Sequence, residues 1–290
     1  MSVSKKVICC MAGAYAIISV SCSNGNEIYN EESSSSDLHF SSSEEHSSSS
    51  ELHSSSSEPY YYNDNFIAHA GGSIEDIYIY TNSLEALNLF YSRGCKLFEL
   101  DIIETSDGKL VAAHDWENYK WQTDYSGDIP LTEQEFLSQK IYGKFTPLNM
   151  EMINEWFISH PDAILVTDKI NNPWEMLEQF IPRDRLIMEL YSWDAVEEAI
   201  NYGIKAMPNG NLVLSTPNVE QLLFDLDYMS INISLVEENR EFLEKVKEKG
   251  IKIYAYVVNE NELLNDKMDI IYGIYSDNID LLRYWEQVEQ

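Results

Sequence analysis

The chain has 290 residues, enough for one large domain or two ordinary ones, and its 44% hydrophobic share suits a globular core. Its 49 acidic and 19 basic residues leave a formal net charge of −30, which excludes nucleic acid as a partner, because phosphate backbones need a basic surface. Three of its four cysteines lie near the N-terminus, so Cys95 has no partner for an internal disulfide or a cysteine-rich zinc site, and it reads as a core residue.

Lys5 and Lys6 precede an uncharged run from Val7 to Ser21. That is a positive region followed by an apolar one of signal-peptide length, too short for a comfortable membrane span. The run ends in Ser19-Val20-Ser21-Cys22, which resembles a bacterial lipobox with serine in place of the usual leucine. Residues 1–22 are therefore expected to be a lipoprotein-type signal peptide. The protein is expected to be exported and held at the cell envelope by a lipid on Cys22, with plain secretion or an uncleaved anchor as the alternatives. Residues 23–60 are nearly all Ser, Glu, Asp, Asn and His, and too polar to offset their chain entropy. They read as a flexible tether, and His39, His46 and His53 as drift of a Ser-rich repeat within it.

From residue 61 to 290 short β-rich runs alternate with amphipathic helices. The strands are expected at 65–69, 97–103, 164–168, 186–190, 205–208, 228–233, 252–258 and 273–276. A hairpin at Asp107-Gly108 returns the second run to 110–114. Helices are expected at 83–93, 150–159, 194–202, 219–224, 237–249 and 280–286. Eight strand runs separated by helices in one domain indicate an α/β fold, a (β/α)8 TIM barrel. A doubly wound open sheet is the alternative. It lacks a glycine fingerprint, since Gly71-Gly72 is only a pair.

In such a barrel, catalytic groups sit at the C-terminal ends of strands. Glu99 and Asp101 are two apart on a strand, so their carboxylates share a face and need a counter-charge. A hard divalent cation supplies one, with Asp168 reaching the same space from the next strand. His69 and His114 fall at predicted strand ends beside this pair, whereas His160 precedes Pro161 in a turn and receives no role. Two imidazoles are what cleavage of a phosphodiester requires: one takes the proton of the nucleophile, the other protonates the leaving oxygen. Lys169 and the cation would stabilise charge on the phosphoryl oxygens.

These motifs, in this order, resemble a glycerophosphodiester phosphodiesterase domain of the phosphatidylinositol-specific phospholipase C-like superfamily. The matching segments are His69-Ala70-Gly71, Asn82, Glu99-Leu100-Asp101, Thr105-Ser106-Asp107-Gly108 and His114-Asp115. The late segments Ile253–Asn259 and Gly273–Asn278 fit the same pattern. The resemblance implies acid–base roles for His69 and His114 and metal ligation by Glu99, Asp101 and Asp168. It also implies phosphate or substrate contacts from Lys169, Asn82 and Tyr256. One divalent cation is implied, Ca2+ or Mg2+, with calcium favoured outside the cell. The substrate would be a small-molecule or lipid-derived phosphodiester, and no protein partner is implied.

Three departures stand out. Ala70 replaces the arginine that follows the first histidine in the family. Asp168 and Lys169 are adjacent, where the family has Glu-x-Lys, so both can face phosphate only if the chain turns there. Thr81-Asn82-Ser83 replaces Glu-Asn-Thr. Two other readings remain at this stage. One is a glycoside hydrolase using Glu99 and Glu189, which leaves the histidines and Lys169 without a task. The other is a non-catalytic surface-binding barrel, which the missing arginine would suit.

Overall fold

The computed structural model describes residues 64–264 and 266–282. The expected signal peptide and tether, and the last part of the expected terminal helix, lie outside them. Among the described residues no helix is long and apolar enough to cross a membrane.

The architecture is the expected barrel. Its parallel strands are β1 (Phe66–Ala68), β2 (Leu97–Glu104), β4 (Ile164–Asp168), β5 (Leu186–Leu190), β6 (Lys205–Pro208), β7 (Tyr228–Asn232), β8 (Lys252–Tyr256) and β9 (Gly273–Ser276). They run in the order β6-β5-β4-β2-β1-β9-β8-β7. The remaining strand, β3 (Leu110–Ala112), folds back antiparallel on β2 through the turn at Gly108, whose φ of 73° suits glycine. The sheet is closed by one parallel bridge between Asn209 and Ser230, just past the end of β6.

The helices carry their own start signals. Ser83 caps α1 (Leu84–Ser92), Asn149 caps α4 (Met150–Ser159) and Ser192 caps α6 (Trp193–Asn201), each side chain accepting a backbone N–H of the first turn. Three helices were not expected: α2 (Trp116–Thr123), α3 (Glu133–Ser138) and α5 (Pro173–Gln179). They are short and lack a clean apolar stripe, yet their caps are written in the chain. Asp115 caps α2, Thr132 and Glu135 form a capping box, and Asn172-Pro173 opens α5.

One expected helix is misplaced. Residues 219–224 hold only a short 3-10 turn, and the helix after β6 is α7 (Gly210–Ser215). Asn209 caps α7, and Pro217 forces Thr216 out of the helical region (ψ 119°), which ends it. In the apolar run beyond, Val219, Leu223 and Leu226 are buried in the core while Leu222 and Phe224 stay 46% and 64% exposed. After β7, two short turns precede α8 (Arg240–Glu248).

The outer sheet face packs on the helices, with Phe90, Phe98, Phe157 and Leu243 among the fully buried side chains; Cys95 is buried there as expected. The inner face holds a separate layer: Ile67, Leu97, Val166, Ile187, Met207, Tyr254 and Tyr275. Each comes from a different strand. Because inward positions recur every second residue, the next layer up consists of His69, Glu99, Asp168, Glu189, Asn209, Tyr256 and Asp277. An apolar plug fills the barrel, and a polar layer stands on it.

The seam between β6 and β7 leaves no room for added bulk. A Cβ at Gly210 would stand 2.9 Å from the Ser230 carbonyl oxygen and 3.1 Å from Ile231 Cα. Gly210→Ala is therefore expected to destabilise the fold by about 1–3 kcal/mol, the usual cost of overpacking. A thermal unfolding curve with an unchanged midpoint would contradict this picture of the seam.

Candidate active site

β2 and β4 pair in parallel with Asp101 opposite Asp168, and Glu99 lies one inward step below Asp101. Carboxylate oxygens of Glu99, Asp101 and Asp168 consequently lie within 4.8 Å of one another. Burial raises the Glu99 pKa well above its usual value, and the charges of Asp101 and Asp168 raise it further. Asp101 is raised by burial and by Asp168, against the lowering effect of Asn82 and Lys169. Glu99 Oε2 accepts the Ala70 N–H at 2.6 Å, while the buried Oε1 has no hydrogen-bond partner. Such an oxygen is costly unless something else meets it. An all-oxygen donor set with surplus negative charge, one oxygen unpartnered, fits a hard divalent cation. The three residues can hold one.

Lys169 supplies part of the counter-charge. Its Nζ lies 2.9 Å from Asp168 and 3.6 Å from Asp101. Adjacent side chains on a strand would diverge, but Lys169 has φ 68°, so the chain turns and both groups face the site. Burial lowers the Lys169 pKa, and the carboxylates around it more than reverse this, so the ammonium stays charged. Asp168 is also bound by the Tyr191 hydroxyl, a contact the sequence did not suggest.

His69 follows β1 directly, in a turn where Ala70 is left-handed (φ 48°). Its Nδ1 donates to Asp277 Oδ1 at 3.0 Å, leaving Nε2 for the site. Asp277 is itself fixed, because Asn259 Nδ2 donates to its Oδ2 at 2.8 Å and Asn259 Oδ1 accepts its N–H at 2.9 Å. Burial lowers the His69 pKa, but the bond and charge of Asp277, with Asp101 and Asp168 beyond, raise it above 6.5 overall. His114 lies two residues past β3, so the expected strand 110–114 ends early. Its Nδ1 donates to Asp115 at 2.5 Å, and Asp115 also caps α2. The ring of Tyr80 stands edge-on to both imidazoles, 4.7 Å from His69 and 5.1 Å from His114.

A cavity of about 240 Å3 is lined by His69, Glu99, Asp168, Lys169, Glu189, Tyr191, Asn209 and Tyr256, whereas His114 lies outside its lining. Tyr256, expected to touch substrate, lines it; its hydroxyl accepts from Asn209 Nδ2 at 3.1 Å, which leaves its own proton free to donate. Asn82 requires a correction. Rather than touching substrate, it is fully buried and tied to Asp101, through Nδ2 to Oδ2 at 2.9 Å and from the Asp101 N–H to Oδ1 at 3.0 Å. It fixes the Asp101 carboxylate in place. Glu189 accepts from Asn209 and Ser230 on Oε1 and from Tyr275 on Oε2, and burial with the charge of Asp168 pushes its pKa up to about 7. A carboxyl saturated by internal donors is not poised as a glycosidase nucleophile. His160, assigned no role, stacks on Trp156 at 4.1 Å.

No protein-family model matches the chain, and no curated protein matches it. Solved structures match its fold. It is similar to a glycerophosphodiester phosphodiesterase from Parabacteroides distasonis, with TM-score 0.62 and 16% identity over 78% of this chain and 98% of that one. It is similar to a phosphodiesterase from Oleispira antarctica in complex with the product sn-glycerol-3-phosphate, with TM-score 0.62 and 20% identity over 77% and 96%. The corresponding enzyme of Thermotoga maritima gives TM-score 0.60 and 23% identity over 76% and 97%. The fold is thus that of the glycerophosphodiester phosphodiesterase barrels.

The His69–Asp277 pair yields a titration test. A histidine whose folded pKa is raised stabilises the fold fully below its ordinary value of 6.5, and that contribution fades as pH rises through the raised value. Asp277→Asn removes the charge and is expected to lower the His69 pKa. Ring resonances followed by NMR against pH would show it, and a pKa in the variant equal to or above that of the native protein would contradict it.

Proposed function

We propose that the protein is a metal-dependent phosphoric diester hydrolase acting on glycerophosphodiesters or related phospholipid and cell-envelope phosphodiesters. The observation that carries the reading is the pairing of two imidazoles with an oxygen-only triad whose buried Glu99 Oε1 lacks a partner. That combination suits a phosphodiester, which brings negative charge to neutralise and two oxygens that exchange protons. The Oleispira neighbour, of the same fold, was solved with its product sn-glycerol-3-phosphate, which supports a small diester of glycerol phosphate as substrate.

A divalent cation held by Glu99, Asp101 and Asp168, either Ca2+ or Mg2+, would neutralise charge on the phosphoryl oxygens. Lys169 contributes a second positive charge beside it. His69 is the general base in this reading: Asp277 fixes its tautomer and stabilises the imidazolium that forms as Nε2 takes the nucleophile's proton. His114, oriented by Asp115, delivers a proton to the leaving alcohol. Tyr256 offers its hydroxyl proton to the substrate from the opposite wall.

The direct test is hydrolysis of bis-p-nitrophenyl phosphate with and without EDTA. Turnover that EDTA abolishes and added Ca2+ or Mg2+ restores is expected. Asp101→Asn should lose most activity and bind metal more weakly. His69→Ala should cost roughly 10²- to 10⁴-fold in rate. His114→Ala should be milder here, because p-nitrophenolate leaves without acid help, and as severe as His69→Ala on an alkyl diester. Native-like turnover by all three variants would refute this site, and no turnover by the native protein on any diester tried would leave the non-catalytic barrel as the better reading.

Export with a lipid on Cys22 completes the proposal and rests on the sequence pattern of residues 5–22. Mass spectrometry of the mature N-terminus is expected to find a diacylglyceryl-modified Cys22 as its first residue. An unmodified start at residue 23 or later would instead mean ordinary secretion.

A further inference from the structure

Tyr80 enters the site on a loop that its sequence does not mark. Both Tyr80 (φ 55°) and Asn82 (φ 47°) are left-handed, a conformation that side chains other than glycine adopt rarely. Such backbone persists where surrounding bonds over-determine it. Here Gln122 Nε2 donates to the Tyr80 carbonyl at 3.0 Å, and the Asn82 N–H donates to the Ala70 carbonyl at 3.1 Å. The second bond laces the loop to position 70, next to His69.

The ring is used on both sides, edge-on to His69 at 80° and to His114 at 81°. The hydroxyl is not: it joins no hydrogen bond among the described residues. It nevertheless lies within electrostatic reach of the site. Burial and the charges of Asp277, Asp101 and Glu99 push its pKa up, while Lys169 pulls it down. At neutral pH it is therefore a protonated, uncommitted donor. A phosphoryl group lying between the imidazoles needs donors on that side, and Ala70 offers only a methyl group.

Resting on the phosphodiesterase reading, we propose that the Tyr80 hydroxyl donates a hydrogen bond to a non-bridging phosphoryl oxygen between His69 and His114. It is a neutral donor where the neighbouring position 70 supplies none. The difference has a consequence for substrate choice. A cation at this place would favour a doubly charged phosphomonoester strongly, whereas a hydroxyl favours it little over a singly charged diester. Beside the cation and Lys169, the hydroxyl adds little further preference for the doubly charged product.

Tyr80→Phe keeps both ring contacts and removes only the hydroxyl. Binding of inorganic phosphate in the presence of Mg2+, followed by calorimetry, is expected to weaken about ten-fold in this variant, the scale for one hydrogen bond to a charged group. KM for bis-p-nitrophenyl phosphate should rise with it. The pH profile and unfolding midpoint should stay in place, because the imidazoles remain packed. Tyr80→Ala, which removes the ring too, should also shift the pH profile. A native protein that turns over no phosphodiester defeats the hydrolase reading, and the phosphate titration still judges the tyrosine. Equal phosphate affinity in native protein and Tyr80→Phe, or no binding by either, overturns the assignment.

Discussion

Three carboxylates, with oxygens within 4.8 Å of one another, stand at the mouth of a barrel whose interior is otherwise packed. Their mutual repulsion, sharpened by burial, is the constraint around which the neighbourhood is arranged. The Ala70 N–H meets one oxygen of Glu99, Asn82 grips Asp101 twice, Lys169 bends back between Asp101 and Asp168, and Tyr191 holds Asp168. These contacts need unusual backbone, left-handed at Ala70, Asn82 and Lys169. One Glu99 oxygen is still unpartnered, so the protein's own groups do not balance the cluster completely. A cation is the simplest completion.

Core and site are successive layers of the same strands. Ile67 and His69, Leu97 and Glu99, Val166 and Asp168, Tyr275 and Asp277 are each two residues apart and face the same way. The aromatic and branched side chains of the lower layer plug the barrel and thereby exclude water from beneath the charges. Low polarity below makes every charge above act more strongly. The fourth acidic member, Glu189, is satisfied by Asn209, Ser230 and Tyr275, and the first two flank the bridge that closes the barrel. Its network joins β5 to both edges of the seam.

The departures noted in the sequence are compensated in space. Asp168 is one carbon shorter than glutamate, yet its register opposite Asp101 brings it into the cluster. The adjacent lysine reaches the site because the strand ends between them.

Much of this was legible in the chain. Short β-rich runs located β4, β5, β6 and β9 to the residue, because strand preference is a local property of the chain. The two-residue period of a strand put Glu99 and Asp101 on one face. The short helices behind the caps Asp115, Thr132 and Asn172 had too little apolar period to be seen. What tertiary structure alone decided is which residues meet. His69 finds Asp277, distant in sequence, because β1 and β9 pair in register. Tyr80 reaches both imidazoles only because the loop is laced to Ala70 and Gln122. Asn82 meets Asp101 through hydrogen bonds across the loop for the same reason. The period of a strand is set by covalent geometry within a few residues, whereas contacts across the barrel depend on how strands distant in sequence come into register.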